Sequence, residues 1–178
     1  MASLFTHPII PLTVGVIIGR RRLPLRYCML GAVASIAADI DVAAFAFGIP
    51  YEAQFGHRGA THSIVFALAL AGLMTLREWR HFRAHALLFG YLLVAAVSHP
   101  LLDMLTDGGL GIALFWPFSV ERLFFPVTPL AVSPIGAAFF SADGTNVIVS
   151  EFEWIWIPSI GLAILAELIR TRLRNPSN

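Results

Sequence analysis

At 178 residues, with 57% hydrophobic and 13% charged side chains and a formal net charge of +1, the chain is too apolar for an ordinary soluble domain, in which about a quarter of the residues are charged. Its single cysteine, Cys28, lies in an apolar stretch, which excludes a disulfide framework and a thiolate metal site and leaves packing as its role. What remains is an all-α, polytopic membrane protein, a single membrane-embedded domain over residues 1–178, with no nucleic-acid partner expected.

Apolar stretches cover about residues 8–19, 27–50, 60–76, 84–106 and 154–169. A helical crossing needs roughly 20 residues, so four or five crossings are expected. The first stretch reaches that length only if it starts near Ala2. It lacks the charged head and small-residue cleavage site of a signal peptide, and reads as a retained helix with His7 at its start. Three arginine clusters follow: Arg20, Arg21, Arg22 and Arg26 after the first stretch, Arg77, Arg80 and Arg83 after the third, and Arg170, Arg172 and Arg174 after the fifth. Cytoplasmic loops are enriched in Lys and Arg, so this alternation matches five crossings with the amino terminus outside and the carboxyl terminus inside. His81 and His85 fall in the second cluster and read as interfacial residues.

The second stretch carries Asp39 and Asp41, two residues apart, which diverge on a regular helix unless the helix breaks there. The third opens with Gly56-His57-Arg58-Gly59-Ala60-Thr61-His62-Ser63, in which Thr61 is the expected N-cap. The fourth ends in Ser98-His99-Pro100-Leu101-Leu102-Asp103, whose His and Asp share one helix face. Residues 107–153 then hold Gly108, Gly109, Gly111, Pro117, Pro126, Pro129, Pro134 and Gly144 beside Phe115, Trp116, Phe118, Phe124 and Phe125. Such breakers and aromatics predict an irregular outer segment, either an interfacial lid or a solvent loop. Trp154 and Trp156 suit an aromatic belt.

Ionisable residues inside apolar helices are expensive and mark functional sites. With a rise of about 1.5 Å per residue, His99 lies roughly 24 Å from Arg83, and the aspartates of the second helix lie roughly 20 Å beyond Arg26. His7, Asp39, Asp41, His57, His62, His99 and Asp103 are therefore expected at one level, toward the outer face, as candidate metal ligands. Imidazole and carboxylate donors suit zinc, with manganese or iron as alternatives, and seven donors suffice for one or two divalent ions. Asp41 or Asp103 would serve as general base. Arg58 either holds an anionic group or pairs with Glu52 or one of the aspartates, and Arg122 beside Glu121 reads as structural.

The elements Thr6-His7, Ala38-Asp39-Ile40-Asp41, His57 to Ser63, and His99-Pro100-Leu101-Leu102-Asp103 followed by Thr106 and Gly108 together resemble the YdjM family. The match runs from about His7 to Pro117, with the HRGxTHS element its most specific part, and Ala38 stands where the family commonly has a proline. The resemblance implies a LexA-regulated, metal-dependent hydrolase of the bacterial inner (cytoplasmic) membrane. The H-x-x-x-D element is also similar to one in zinc-dependent phospholipases C. An outer-face site walled by apolar helices suits a phosphoester or phospholipid-like amphiphile, with membrane lipids as partners. A structural or regulatory metal site without hydrolysis is the alternative. An ion or proton transporter fits less well, because residues 65–76 and 84–96 offer almost no polar path inward. The sequence leaves the oligomeric state open.

Overall fold

The computed structural model describes residues 1–174; the last four residues of the expected 1–178 domain lie outside the described residues. Six helices follow one another: α1 (Ile9–Ile18), α2 (Leu25–Ile36), α3 (Ile64–Arg77), α4 (His85–Met104), α5 (Ala142–Glu151) and α6 (Ile157–Arg174). No extended strand occurs among the described residues, only single bridges at Thr106–Leu130 and Ile112–Leu123. Among the described residues, three helical stretches are long and apolar enough to cross a membrane: Leu25–Phe47, His85–Met104 and Ala142–Arg174. Ile9–Ile18 and Ile64–Arg77 are shorter apolar helices.

The apolar content of α4 buries it at the centre, where it packs against α1, α2 and α3. Small residues let the backbones approach, as expected where helices pack without a hydrophobic gradient from lipid. At Gly31 of α2, a Cβ would lie 2.3 Å from the Tyr91 hydroxyl. The hydroxyl instead donates to the carbonyls of Pro11 (3.1 Å) and Cys28 (3.2 Å), tying α4 to α1 and α2. Leu23, Tyr27, Cys28, Leu88 and Leu92 fill the same core, which is the packing role expected of Cys28. α6 packs on α1 and leaves most of its apolar surface exposed, the surface of a helix that faces lipid.

Two departures from the expected elements position the site. α2 does not continue as α-helix but passes into a 3₁₀ helix over Ala37–Phe47, a long run for this tight form. With three residues per turn, positions 39 and 41 stand about 120° apart instead of about 160°, so both aspartates face the bundle. The last long helix starts at Ala142, well inside the segment expected to be irregular. Gly144 is no breaker here: a Cβ on it would strike the Phe139 carbonyl oxygen at 1.7 Å, so its smallness admits the preceding chain. A π-helical turn at Phe152–Trp156 joins α5 to α6.

The arginine clusters meet at one end of the bundle. Arg26 pairs with Glu78 after α3, and Arg170 Nη2 donates to the carbonyls of Val16 (2.6 Å) and Ile17 (3.0 Å). His85 stacks on Trp79 at that end, 3.7 Å between ring centroids. His99 and Asp103 occupy the opposite end of α4, about 21 Å away.

Candidate metal centre

Four separate segments bring the seven predicted ligands together: the turn before α1, the 3₁₀ extension of α2, the loop before α3, and the last turns of α4. Six of them expose almost nothing, and the Asp39 side chain is 8% exposed. Two triplets offer ligand atoms within 4.8 Å of one another: His7, His99 and Asp103, and Asp39, His57 and His62. His7 stacks on His99 with ring centroids 3.8 Å apart.

Asp41 stands behind this set and orients it. Its Oδ1 meets His57 Nδ1 at 2.7 Å, and its Oδ2 meets His62 Nδ1 at 3.0 Å while accepting from Thr61 Oγ1 (2.5 Å) and the Arg58 backbone N–H (3.2 Å). His99 Nδ1 donates to the Ser35 carbonyl at 2.6 Å. A histidine whose Nδ1 proton is fixed by a carboxylate or carbonyl turns an Nε2 lone pair toward a metal. His57 Nε2, both ring nitrogens of His7, both Asp39 oxygens and Asp103 Oδ2 are buried without a hydrogen-bond partner.

Around His62 Nε2 stand His99 Nε2 at 3.1 Å, Asp103 Oδ2 at 3.6 Å and Asp39 Oδ1 at 3.7 Å. Two imidazole lone pairs that close repel unless a cation or proton lies between them. A proton would reach only His99, since the carboxylates lie beyond hydrogen-bond range. Tetrahedral ligands about 2.0–2.1 Å from a zinc ion stand about 3.3 Å apart, close to the spacing of the histidine pair, while the carboxylate oxygens stand slightly farther out. Asp39, Asp41 and Asp103 bring three carboxylates against the one guanidinium of Arg58, an excess of negative charge that a divalent cation would offset. The donor set therefore fits such an ion.

Arg58 is fully buried and held in the left-handed backbone region at φ 63°. It meets an aspartate, one of its expected alternatives, with Nε 3.5 Å from Asp103 Oδ2. Its two Nη groups donate to the Gly108 carbonyl (2.8 Å) and Thr106 Oγ1 (2.9 Å), so its fork is not open to an anion. Glu52 is not its partner. Arg122 is structural, as expected: its guanidinium gathers the carbonyls of Tyr51, Glu52, Ala53, His57 and Gly111. Burial lowers its pKa, and burial likewise raises that of the neighbouring Tyr51 phenol. Thr61 is not the N-cap of α3. Ser63 takes that place, accepting from the Phe66 N–H at 3.1 Å, because Thr61 is turned to Asp41.

Sequence reasoning overlooked a second buried network. Glu151 of α5 accepts from the Ser3 backbone N–H, Ser3 Oγ (2.5 Å) and Thr6 Oγ1 (2.7 Å), and Trp156 Nε1 donates to Thr6 at 2.7 Å. Asp103 Oδ1 accepts from the Ala2 N–H at 2.6 Å. These bonds seat the turn that carries His7. The signal was a lone acid, Glu151, directly before the apolar run of α6.

A family model described as YdjM inner membrane protein matches residues 1–173. Inner membrane protein YbcI of Escherichia coli (strain K12) is 38% identical over 162 residues, covering 90% of this chain and 94% of its own length. No solved structure matches significantly.

Proposed function

The chain belongs to the YdjM inner membrane protein family, and we propose that it is a membrane-embedded, metal-dependent hydrolase acting on a phosphoester or phospholipid-like amphiphile at the outer leaflet. The observation that carries the reading is the set of buried, unpartnered Asp39 and Asp103 oxygens beside convergent imidazole nitrogens. Bare carboxylates at such depth are too costly to keep for packing alone.

In this reading His7, His99 and Asp103, with Asp39, His57 and His62, hold one or two divalent ions, zinc by their donor chemistry. The bound metal supplies a lowered pKa for water and a Lewis acid for the ester oxygen. Asp41 keeps His57 and His62 in the ligating tautomer. With both Asp41 oxygens engaged, proton transfer falls to Asp103, which would ligate through Oδ1, the oxygen nearer His7, and take the proton at Oδ2. The water oxygen bonds to phosphorus or the acyl carbon, the bond to the leaving alkoxide breaks, and the water proton passes through Asp103 to that alkoxide. Arg58 contributes its positive charge beside Asp103 from a fixed position. An outer-face site is supported by the three arginine clusters at one end of the bundle and the candidate ligands at the other, since basic residues are retained on the cytoplasmic side.

A structural metal is the second reading, favoured by the origin of the ligands in four separate segments that an ion would staple. Elemental analysis of the purified protein and of His99→Ala and Asp103→Ala, beside hydrolysis assays on a lipid panel, separates the two. The hydrolase reading expects metal in the wild type, lost with activity in both variants. Metal lost without any hydrolysis across the panel favours the staple, and metal-free wild type overturns both.

A further inference from the structure

A groove of about 350 Å³ opens beside the candidate metal centre, between residues 1–5 and the segment 133–140. Its walls are Leu4, Phe5, Val42, Ile135, Phe139 and Phe140, and its one charged side chain is Asp39. The two walls meet through Phe5 and Phe139, with ring centroids 5.9 Å apart. Their outer parts are bare: Phe140 is 84% exposed and Phe5 55%. The hydroxyls along the groove are already used, Ser3 Oγ on Glu151 and Ser133 Oγ on the Pro134 carbonyl. Asp39 differs, because both its oxygens are buried and unpartnered where the groove reaches the site.

We propose that this groove takes one acyl chain of a membrane lipid, with the ester or phosphoester end at Asp39 and the methyl end toward Phe139 and Phe140. The apolar walls select a hydrocarbon chain over a polar ligand, and the volume, at the low end for small-ligand pockets, suits a single chain. A route that starts among exposed aromatics and ends at a ligating carboxylate delivers an amphiphile sideways from the bilayer, without taking its chain through water. The inference rests on the hydrolase reading for the chemistry at Asp39, but the chain path has its own test.

The protein is placed in nanodiscs of phosphatidylglycerol and phosphatidylethanolamine containing a small fraction of phosphatidylglycerol. That fraction bears a diazirine near the carboxyl or near the methyl end of one acyl chain. After irradiation the label is mapped by peptide mass spectrometry. The carboxyl-proximal probe is expected on residues around Val42, and the methyl-proximal probe on Phe139 and Phe140. Filling the groove with Ile135→Trp, or independently with Leu4→Trp, is expected to reduce groove labelling several-fold. Labelling of Ile164 and Leu168 on α6 and the metal content should stay unchanged. Label confined to α6, label indifferent to both fillings, or a protein–protein crosslink across the groove overturns the proposal. Groove labelling in a protein without metal or hydrolysis overturns the hydrolase reading and leaves the lipid site standing.

Discussion

Asp41 governs two histidines at once, and its neighbours rank the consequences of losing it. Replacing it with Asn keeps the shape but removes the charge and one of two acceptors shared by His57, His62, Thr61 and the Arg58 N–H. Outer-shell partners of this kind are worth roughly 10- to 100-fold in metal affinity. Zinc titration against a competing chelator is expected to show that loss in Asp41→Asn and a smaller one in Thr61→Val; equal affinities would mean that Asp41 does not orient the ligands. Arg58→Lys removes the fork that meets Gly108 and Thr106 together, and about 1–3 kcal/mol of stability should go with it, read by thermal unfolding in detergent. The convergence of these His and Asp residues was legible residue by residue because an apolar helix does not keep them cheaply. Thr61 was misread because it and Ser63 are equally good caps by composition, and only Asp41, twenty residues earlier, decides between them.

Among elements, α3 and the α2–α4 contact give the clearest tests. Ser63→Ala removes the side-chain cap of α3 and should cost about 1 kcal/mol, whereas Thr61→Ala should leave that helix intact while lowering metal affinity. Thermal melts beside metal analysis check both halves, and the reverse pattern would restore Thr61 as the cap. Gly31→Leu drives a side chain into the Tyr91 ring and should destabilise by about 1–3 kcal/mol or more, with Tyr91→Leu in the same chain recovering part of the loss. The apolar runs revealed the helices because length and hydropathy dominate in lipid. The 3₁₀ extension escaped notice because hydrophobic composition does not distinguish three residues per turn from 3.6. The early start of the last helix escaped because Gly144 was read as a breaker, while its use is to admit the Phe139 backbone.

For the whole molecule, the question is which side the site faces, and the arrangement of charge makes a definite claim. Arg26 and Glu78 join the start of α2 to the end of α3, and Arg170 joins α6 to the end of α1, so residues distant in sequence build one basic end. In the proposed orientation positive charge retained on the cytoplasmic side puts that end inside, and α4 then carries His99 and Asp103 to the outer side. The helical stretch Ala142–Arg174 is about 50 Å long at 1.5 Å per residue, against roughly 30 Å of hydrocarbon. A stretch that long tilts in the bilayer or extends past it, and within it Glu151 meets the turn bearing His7. Reporter fusions at Arg80 and Gly144 should therefore give opposite signals, cytoplasmic at Arg80 and external at Gly144. A cytoplasmic signal at Gly144 would put the centre at the inner leaflet and its lipid substrate with it. Reversing the bias by Arg20→Glu, Arg21→Glu and Arg22→Glu together should weaken or invert the Gly144 signal. The same changes at Glu52, Glu121 and Glu153 to Gln should leave it in place, because acidic residues contribute little to orientation.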